Sequence, residues 1–175
     1  MDRQGRIVLL TGDGKGKTCS ALGMALRAAG HEMRVLFLQF IKQDASTGEI
    51  AALAKIPEID IVQTGRGFVP KPDNPHFSEH HHAAEVALDE ARDAIESGQY
   101  SMIVLDEVCG AVGCGLISED DVLGLLDLIP ADMCIILTGR GATPAFIEAA
   151  DTVTDLKHIK HAYDTGVPAQ KGVEL

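Results

Sequence analysis

The heptapeptide Gly12-Asp13-Gly14-Lys15-Gly16-Lys17-Thr18 constrains this chain more than any other segment, because of what flanks it. Ahead of it, Ile7 to Thr11 is an unbroken run of β-forming residues, the pattern of a strand buried on both faces of a parallel sheet. Behind it, Lys17 to Ala29 puts Ala21, Met24, Ala25 and Ala28 on one helical face and stops at Gly30. Strand, glycine loop and helix in that order begin an α/β fold, and they are also the setting a phosphate-binding loop requires. The glycines let successive N–H groups turn toward an anion, and the first turn of the helix adds free N–H groups and the positive end of its dipole. Lys17 brings a mobile ammonium to the outer phosphates. The Thr18 hydroxyl is placed to coordinate Mg2+, a hard cation that prefers oxygen. The full pattern asks for glycine at position 11, where this chain has Thr11.

The rest of the chain alternates in the same way. Arg34 to Gln39, Ile59 to Gln63, Ser101 to Asp106, Met133 to Thr138 and Thr152 to Leu156 read as further strands. Thr47 to Lys55, Ser78 to Ser97, Ser118 to Leu128 and Pro144 to Ala149 read as helices, with Ser118 and Asp121 at capping-box spacing. Gly65 to His82 holds three of the seven prolines and four of the seven histidines, which predicts an irregular, mobile loop. With no repeat and no linker, residues 1–175 read as a single α/β domain of three layers around a mainly parallel sheet.

Charge and cysteines narrow the function. The 15 Lys+Arg against 26 Asp+Glu leave a net charge of −11, which disfavours a nucleic-acid backbone as partner. Cys19, Cys109, Cys114 and Cys134 form no CxxC pair and read as reduced thiols. No apolar stretch approaches the roughly 20 residues of a membrane span. Met1 to Arg6 is polar and unlike a secretion leader, so the expectation is a soluble cytoplasmic protein.

Other strand ends point to the same rim. Ile103-Val104-Leu105-Asp106-Glu107 finishes an apolar strand in two acids, and either can hold Mg2+ directly or through water. Thr64-Gly65-Arg66-Gly67 and Thr138-Gly139-Arg140-Gly141 repeat one tetrapeptide. Each sets an arginine outside the carboxyl end of a strand, where ligands of open α/β sheets bind, and both arginines are candidates for phosphate. His76, His80, His81 and His82 lack the Cys or Glu spacing of a zinc site and read as a solvated helix start.

With these elements in hand, the chain resembles the ATP:corrinoid adenosyltransferases. The tail carries the likeness furthest. Asp155-Leu156-Lys157-His158-Ile159-Lys160-His161-Ala162-Tyr163-Asp164-Thr165-Gly166-Val167-Pro168-Ala169-Gln170-Lys171-Gly172-Val173-Glu174 is similar to that family's ending: Lys-His, an aromatic, Gly, Ala-Gln, then Gly and an acid. The similarity covers nearly all of Gly5 to Leu175, including Gln39-Phe40-Ile41-Lys42 and Gly67-Phe68. It implies a P-loop, RecA-like architecture and transfer of the 5′-deoxyadenosyl group of ATP to the cobalt(I) centre of a reduced corrinoid, with release of triphosphate. Cobalt(I) is itself the nucleophile in such a reaction, so no Ser, Cys or general base is called for.

The same resemblance implies that Gly12, Asp13, Gly14, Lys15, Gly16, Lys17, Thr18 and Cys19, with Arg140, contact ATP. Lys17, Thr18 and Glu107 would carry the catalysis, with Thr18, Asp106 and Glu107 serving Mg2+ and Phe68 and Arg66 meeting the corrinoid. Some members place a Trp two residues after the aromatic, where this chain has Pro70. A homodimer and an electron donor such as a flavoprotein are implied as partners. A P-loop small-molecule kinase or NTPase is the alternative on the loop alone, and the family-like tail argues against it.

Overall fold

The computed structural model describes residues 5–174. Along the chain run β1 (Arg6–Thr11), α1 (Lys17–Ala29), β2 (Val35–Gln39), α2 (Gly48–Leu53), β3 (Ile59–Gln63) and α3 (Phe77–Ser97). There follow β4 (Met102–Asp106), α4 (Val108–Gly113), α5 (Glu119–Leu126), β5 (Cys134–Thr138), α6 (Pro144–Ala149) and β6 (Thr152–Asp155), then a 3-10 turn at Ala162–Thr165. The strands form one six-stranded sheet in the order β3-β2-β4-β5-β1-β6, and every pairing is parallel.

The unbroken apolar runs are explained by the pleat, which sends alternate side chains to opposite faces. Leu9, Leu38, Leu105 and Leu137 point into one core, closed by α3, α4, α5 and α6. Leu10, Phe37, Val104 and Ile136 point into the other, closed by α1 and Leu53 of α2. Both faces are therefore covered, as all-parallel sheets require, and the result is the three-layer architecture of the P-loop nucleotide-binding proteins.

α1 meets the sheet through Ala21, Ala25, Ala28 and Ala29, all buried. Such short side chains let the helix lie close to the strands, which brings the glycine loop directly over their carboxyl ends. β1 and β4 are separated by β5, so the loop and the Asp-Glu strand end approach each other across one intervening strand.

Ser118 caps α5 as its spacing predicts, accepting the Asp121 N–H. α3 begins at Phe77, one residue ahead of the expected Ser78. α4 has no counterpart in the sequence reading: it holds six residues, two of them glycine, too few and too poor in helix formers to announce themselves. It forms because Glu107 turns the chain at φ 63° and Val108, Cys109 and Ala111 are buried against β5 and the core. No helix among the described residues is long and apolar enough to cross a membrane.

Candidate functional site

At the carboxyl rim of the sheet lies a cleft of about 600 Å³, lined by Asp13 to Cys19, by Lys42 and Glu49, by Glu107 and Arg140, and by residues of the tail. Its floor is the glycine loop. Gly16 caps α1 at φ 117° with no side chain hydrogen-bonded to the first turn, leaving those N–H groups to a ligand. The loop needs glycine for a second reason as well. The tail runs across it, with the Gly14 N–H donating to the Leu156 carbonyl at 2.7 Å. A Cβ on Gly14 would meet the Leu156 and Lys157 carbonyl oxygens at 2.6 and 2.7 Å, well inside contact distance.

Thr11, the departure from the full glycine pattern, ends β1 in extended register opposite Asp155. No positive φ is required there, and its hydroxyl accepts the Ala142 N–H at 3.3 Å, tying β1 to the loop that carries Arg140.

Lys17 is 7% exposed and bends back on its own loop, its Nζ donating to the carbonyls of Gly12 at 2.6 Å and Gly14 at 2.8 Å. Burial pulls its pKa down and nearby Arg140 adds to this, while Glu107 and Asp13 oppose it. Thr18 donates to Asp106 Oδ1 at 2.9 Å, so the glycine loop and the acid strand are joined by a direct hydrogen bond.

Asp106 is fully buried and is the hub of a polar line across the strand ends. Gln63 donates to Gln39 Oε1 at 2.8 Å, Gln39 donates to Asp106 Oδ2 at 3.0 Å, and Thr138 donates to Asp106 Oδ1 at 2.8 Å. These residues close β3, β2, β5 and β4, with Gln39 in register with both Gln63 and Asp106. The Lys42 ammonium completes the set, 3.1 Å from Asp106 Oδ2 and 3.2 Å from Thr18 Oγ1.

Glu107 is of a different kind. Its backbone is left-handed, a costly state for a non-glycine residue, held here by its N–H donating to Thr138 Oγ1 at 2.9 Å. Its carboxylate lines the cleft without an ion pair to any described residue. Burial raises its pKa and neighbouring Asp106 raises it further, against the pull of Lys42, Lys17 and Arg140. A carboxylate so placed favours a cation beside it.

The cleft thus gathers Gly14 through Cys19, Asp13, Glu107 and Arg140 as the sequence suggests, with Gly12 in the loop and Asp106 directly behind. The two Thr-Gly-Arg-Gly loops part company. Arg140 lines the cleft, but Arg66 does not, because β3 is the far edge strand and its loop opens elsewhere. Arg66 is exposed, and Phe68 beside it is 95% exposed over a shallow depression formed with Ile41, Lys42, Gln43, Asp44 and Thr47. Lys42 borders both cavities.

Sequence reasoning assigned no role to Lys42, Gln39, Gln63 or Thr138, although each apolar strand run visibly ends in a polar residue. Nor did it place the tail. His158, His161, Tyr163, Asp164 and Glu174 form the cleft's outer wall, with Glu174 3.5 Å from Lys15 and His158 2.7 Å from Asp164. Two histidines of α3 pair along their own helix, His81 lying 3.2 Å and His82 3.9 Å from Glu85. Cys109 is buried under Gly139 with its thiol pushed up to about 12, so it is protonated at neutral pH.

Residues 3–175 match the family described as ATP:corrinoid adenosyltransferase BtuR/CobO/CobP. The corrinoid adenosyltransferase of Pseudomonas aeruginosa is 41% identical over 175 residues, covering 99% of this chain and 85% of the relative. The corrinoid adenosyltransferase of Escherichia coli is 34% identical over 174 residues, covering 99% of this chain and 87% of that protein. The corrinoid adenosyltransferase CobA of Salmonella typhimurium matches to the same extent, 34% over 174 residues.

Proposed function

This chain belongs to the ATP:corrinoid adenosyltransferase family, and on that premise we propose that it transfers the 5′-deoxyadenosyl group of ATP to the cobalt(I) of a reduced corrinoid in adenosylcobalamin biosynthesis or salvage. The observation that carries the reading is a family match over residues 3–175 whose glycine loop forms the floor of a cleft that also presents Lys15, Lys17, Lys42 and Arg140, next to an exposed aromatic shelf.

In this reaction cobalt(I) supplies the electron pair that forms the cobalt–carbon bond at the ribose C5′. The C5′–oxygen bond breaks, and triphosphate departs with its electrons. The protein's tasks are charge and position. Lys15, Lys17 and Arg140, with the N–H groups of the glycine loop and the first turn of α1, receive the phosphate chain and stabilise the charge that builds on it. Lys17 would exchange its bonds to the Gly12 and Gly14 carbonyls for phosphate oxygens. The tail wall holds the nucleoside so that C5′ faces out of the cleft, an orienting role that accounts for much of such catalysis. No protein nucleophile takes part, in keeping with the protonated state of Cys109.

The donor set fits magnesium. Thr18 Oγ1 and the carboxylates of Asp106 and Glu107 are hard oxygens, and the ammonium of Lys42 already rests against two of them. Among the described residues no three His, Cys, Asp or Glu side chains form a metal cage, which suits an ion held by one or two protein oxygens, water and phosphates. When bound, Mg2+ would neutralise the leaving triphosphate. Phe68 and Arg66 are the proposed corrinoid contacts, with Pro70 in place of a second aromatic. An electron donor such as a flavoprotein, a second copy of the chain and a cytoplasmic setting belong to the same reading.

The test is product analysis. With ATP, Mg2+ and a chemically reduced corrinoid, the protein should yield adenosylated corrinoid and triphosphate, seen by absorbance and mass, whereas ADP and phosphate would identify a kinase or NTPase instead. Lys17→Ala should lower turnover by roughly 10²–10³-fold, the usual loss for one oxyanion donor, while still binding corrinoid.

A further inference from the structure

Lys42 holds a position that the established family activity leaves unexplained. Its Nζ lies between the Thr18 hydroxyl and Asp106 Oδ2, at 3.2 and 3.1 Å. Asp106 accepts from Thr18 and Thr138 on one oxygen and from Gln39 and Lys42 on the other, which fills the roughly four acceptor sites of a carboxylate. Thr18 has a single proton, spent on Asp106, and Lys42 takes one of its two lone pairs, leaving the other for a magnesium ion beside the ammonium. A divalent cation on Thr18 Oγ1 would therefore stand against the Lys42 ammonium, a like-charge repulsion that is relieved when Lys42 leaves, and the Thr18, Thr138 and Gln39 bonds to Asp106 can persist when it does.

The side chain is built to leave. Lys42 stands in the loop after β2, outside any strand or helix, and is 31% exposed, with Glu49 4.0 Å away. Its donor is a compact ammonium on a flexible stem, unlike the rigid fork of arginine.

We propose that Lys42 is the resident counter-ion of the metal position: its ammonium neutralises Asp106 in the nucleotide-free protein, yields to the divalent cation that arrives with ATP, and moves to the phosphate oxygens. This rests on the reading of the cleft as a nucleotide site. Lys42 is then a positioning residue, keeping the empty site closed to free cations so that metal and nucleotide enter together.

The test uses Mn2+ as probe, titrated into the full nucleotide-free chain and followed by water-proton relaxation. Lys42→Met and the uncharged, hydrogen-bonding Lys42→Gln should each bind Mn2+ at least about tenfold more tightly than the parent. Lys42→Arg should stay within about twofold of it, and adding Glu107→Gln to Lys42→Met should abolish the gain. Melting temperature should rise with Mn2+ more steeply in the neutral variants than in the parent, since an ion that binds only the folded state stabilises it by mass action. Mn2+ affinity that is unchanged or weaker in both neutral variants overturns the proposal, because a purely structural lysine would lower stability without improving metal binding. ATP titrated into the parent separates the two ideas: absent nucleotide binding would sink the functional reading, while intact nucleotide binding with unchanged Mn2+ affinity in the variants sinks only this one.

Discussion

Asp106 and Glu107 are adjacent acids with opposite circumstances. Asp106 is buried among four donors and acts as a joint between the glycine loop and three strands. Glu107 is left to the cleft with its pKa raised by burial and by Asp106. A raised carboxyl pKa means that the folded protein holds its proton more tightly than the unfolded chain, so stability is lost as pH climbs through the raised value. Glutamine carries no such cost. Glu107→Gln should therefore melt higher than the parent at pH 8, by about 2–4 °C for each kcal/mol relieved, and the advantage should vanish as pH falls to the ordinary value of 4.5. Calorimetry across that range checks it. The same variant should lose turnover, the opposition of stability and activity expected where a charge is held for a ligand.

The tail behaves as a wall added to a finished fold. Every buried residue of the two cores lies between Ile7 and Phe146, whereas His161, Tyr163, Asp164 and Glu174 contribute only to the cleft. A chain ending at Lys160 should keep its melting temperature within a few degrees and lose ATP affinity by tenfold or more, about 1.4 kcal/mol, as measured by calorimetric titration. Sequence alone offered the tail as a family likeness without a place for it, because its residues are exposed and aperiodic and make their contacts at long range. Strands and long helices were readable because burial dictates their composition: continuous for β1, β2, β4 and β5, and Ala at helical spacing for α1 and α3. α4 was not, since its six residues are ordered by the turn at Glu107 and not by propensity.

The two cores share one sheet, with strands such as β4 lending Leu105 to one and Val104 to the other. Neither half can melt without the other, so scanning calorimetry should record one transition; two would mean that the layers are separate cooperative units. The rim was partly readable for the same reason that the sheet was. The glycine loop and the Asp-Glu end stand beside apolar strands, but which rim loops converge depends on strand order, and Arg66 and Arg140 are indistinguishable in sequence. Only the order β3-β2-β4-β5-β1-β6 separates them. It also brings Lys15, Lys17, Lys42 and Arg140 together at one rim of a molecule carrying a net charge of −11, interleaved there with Asp13, Glu49, Glu107, Asp164 and Glu174.

That strand order bears on how the molecule comes into being. β1 is made before either strand it pairs with, for its neighbours are β5 and β6, Ile7 pairing with Ile135 and Leu9 with Val153. Such an apolar strand must wait, unpartnered, until β5 and β6 have been synthesised, and such distant pairings are slow to close. The glycine loop that follows β1 is thus translated well before the strands that give it its working shape.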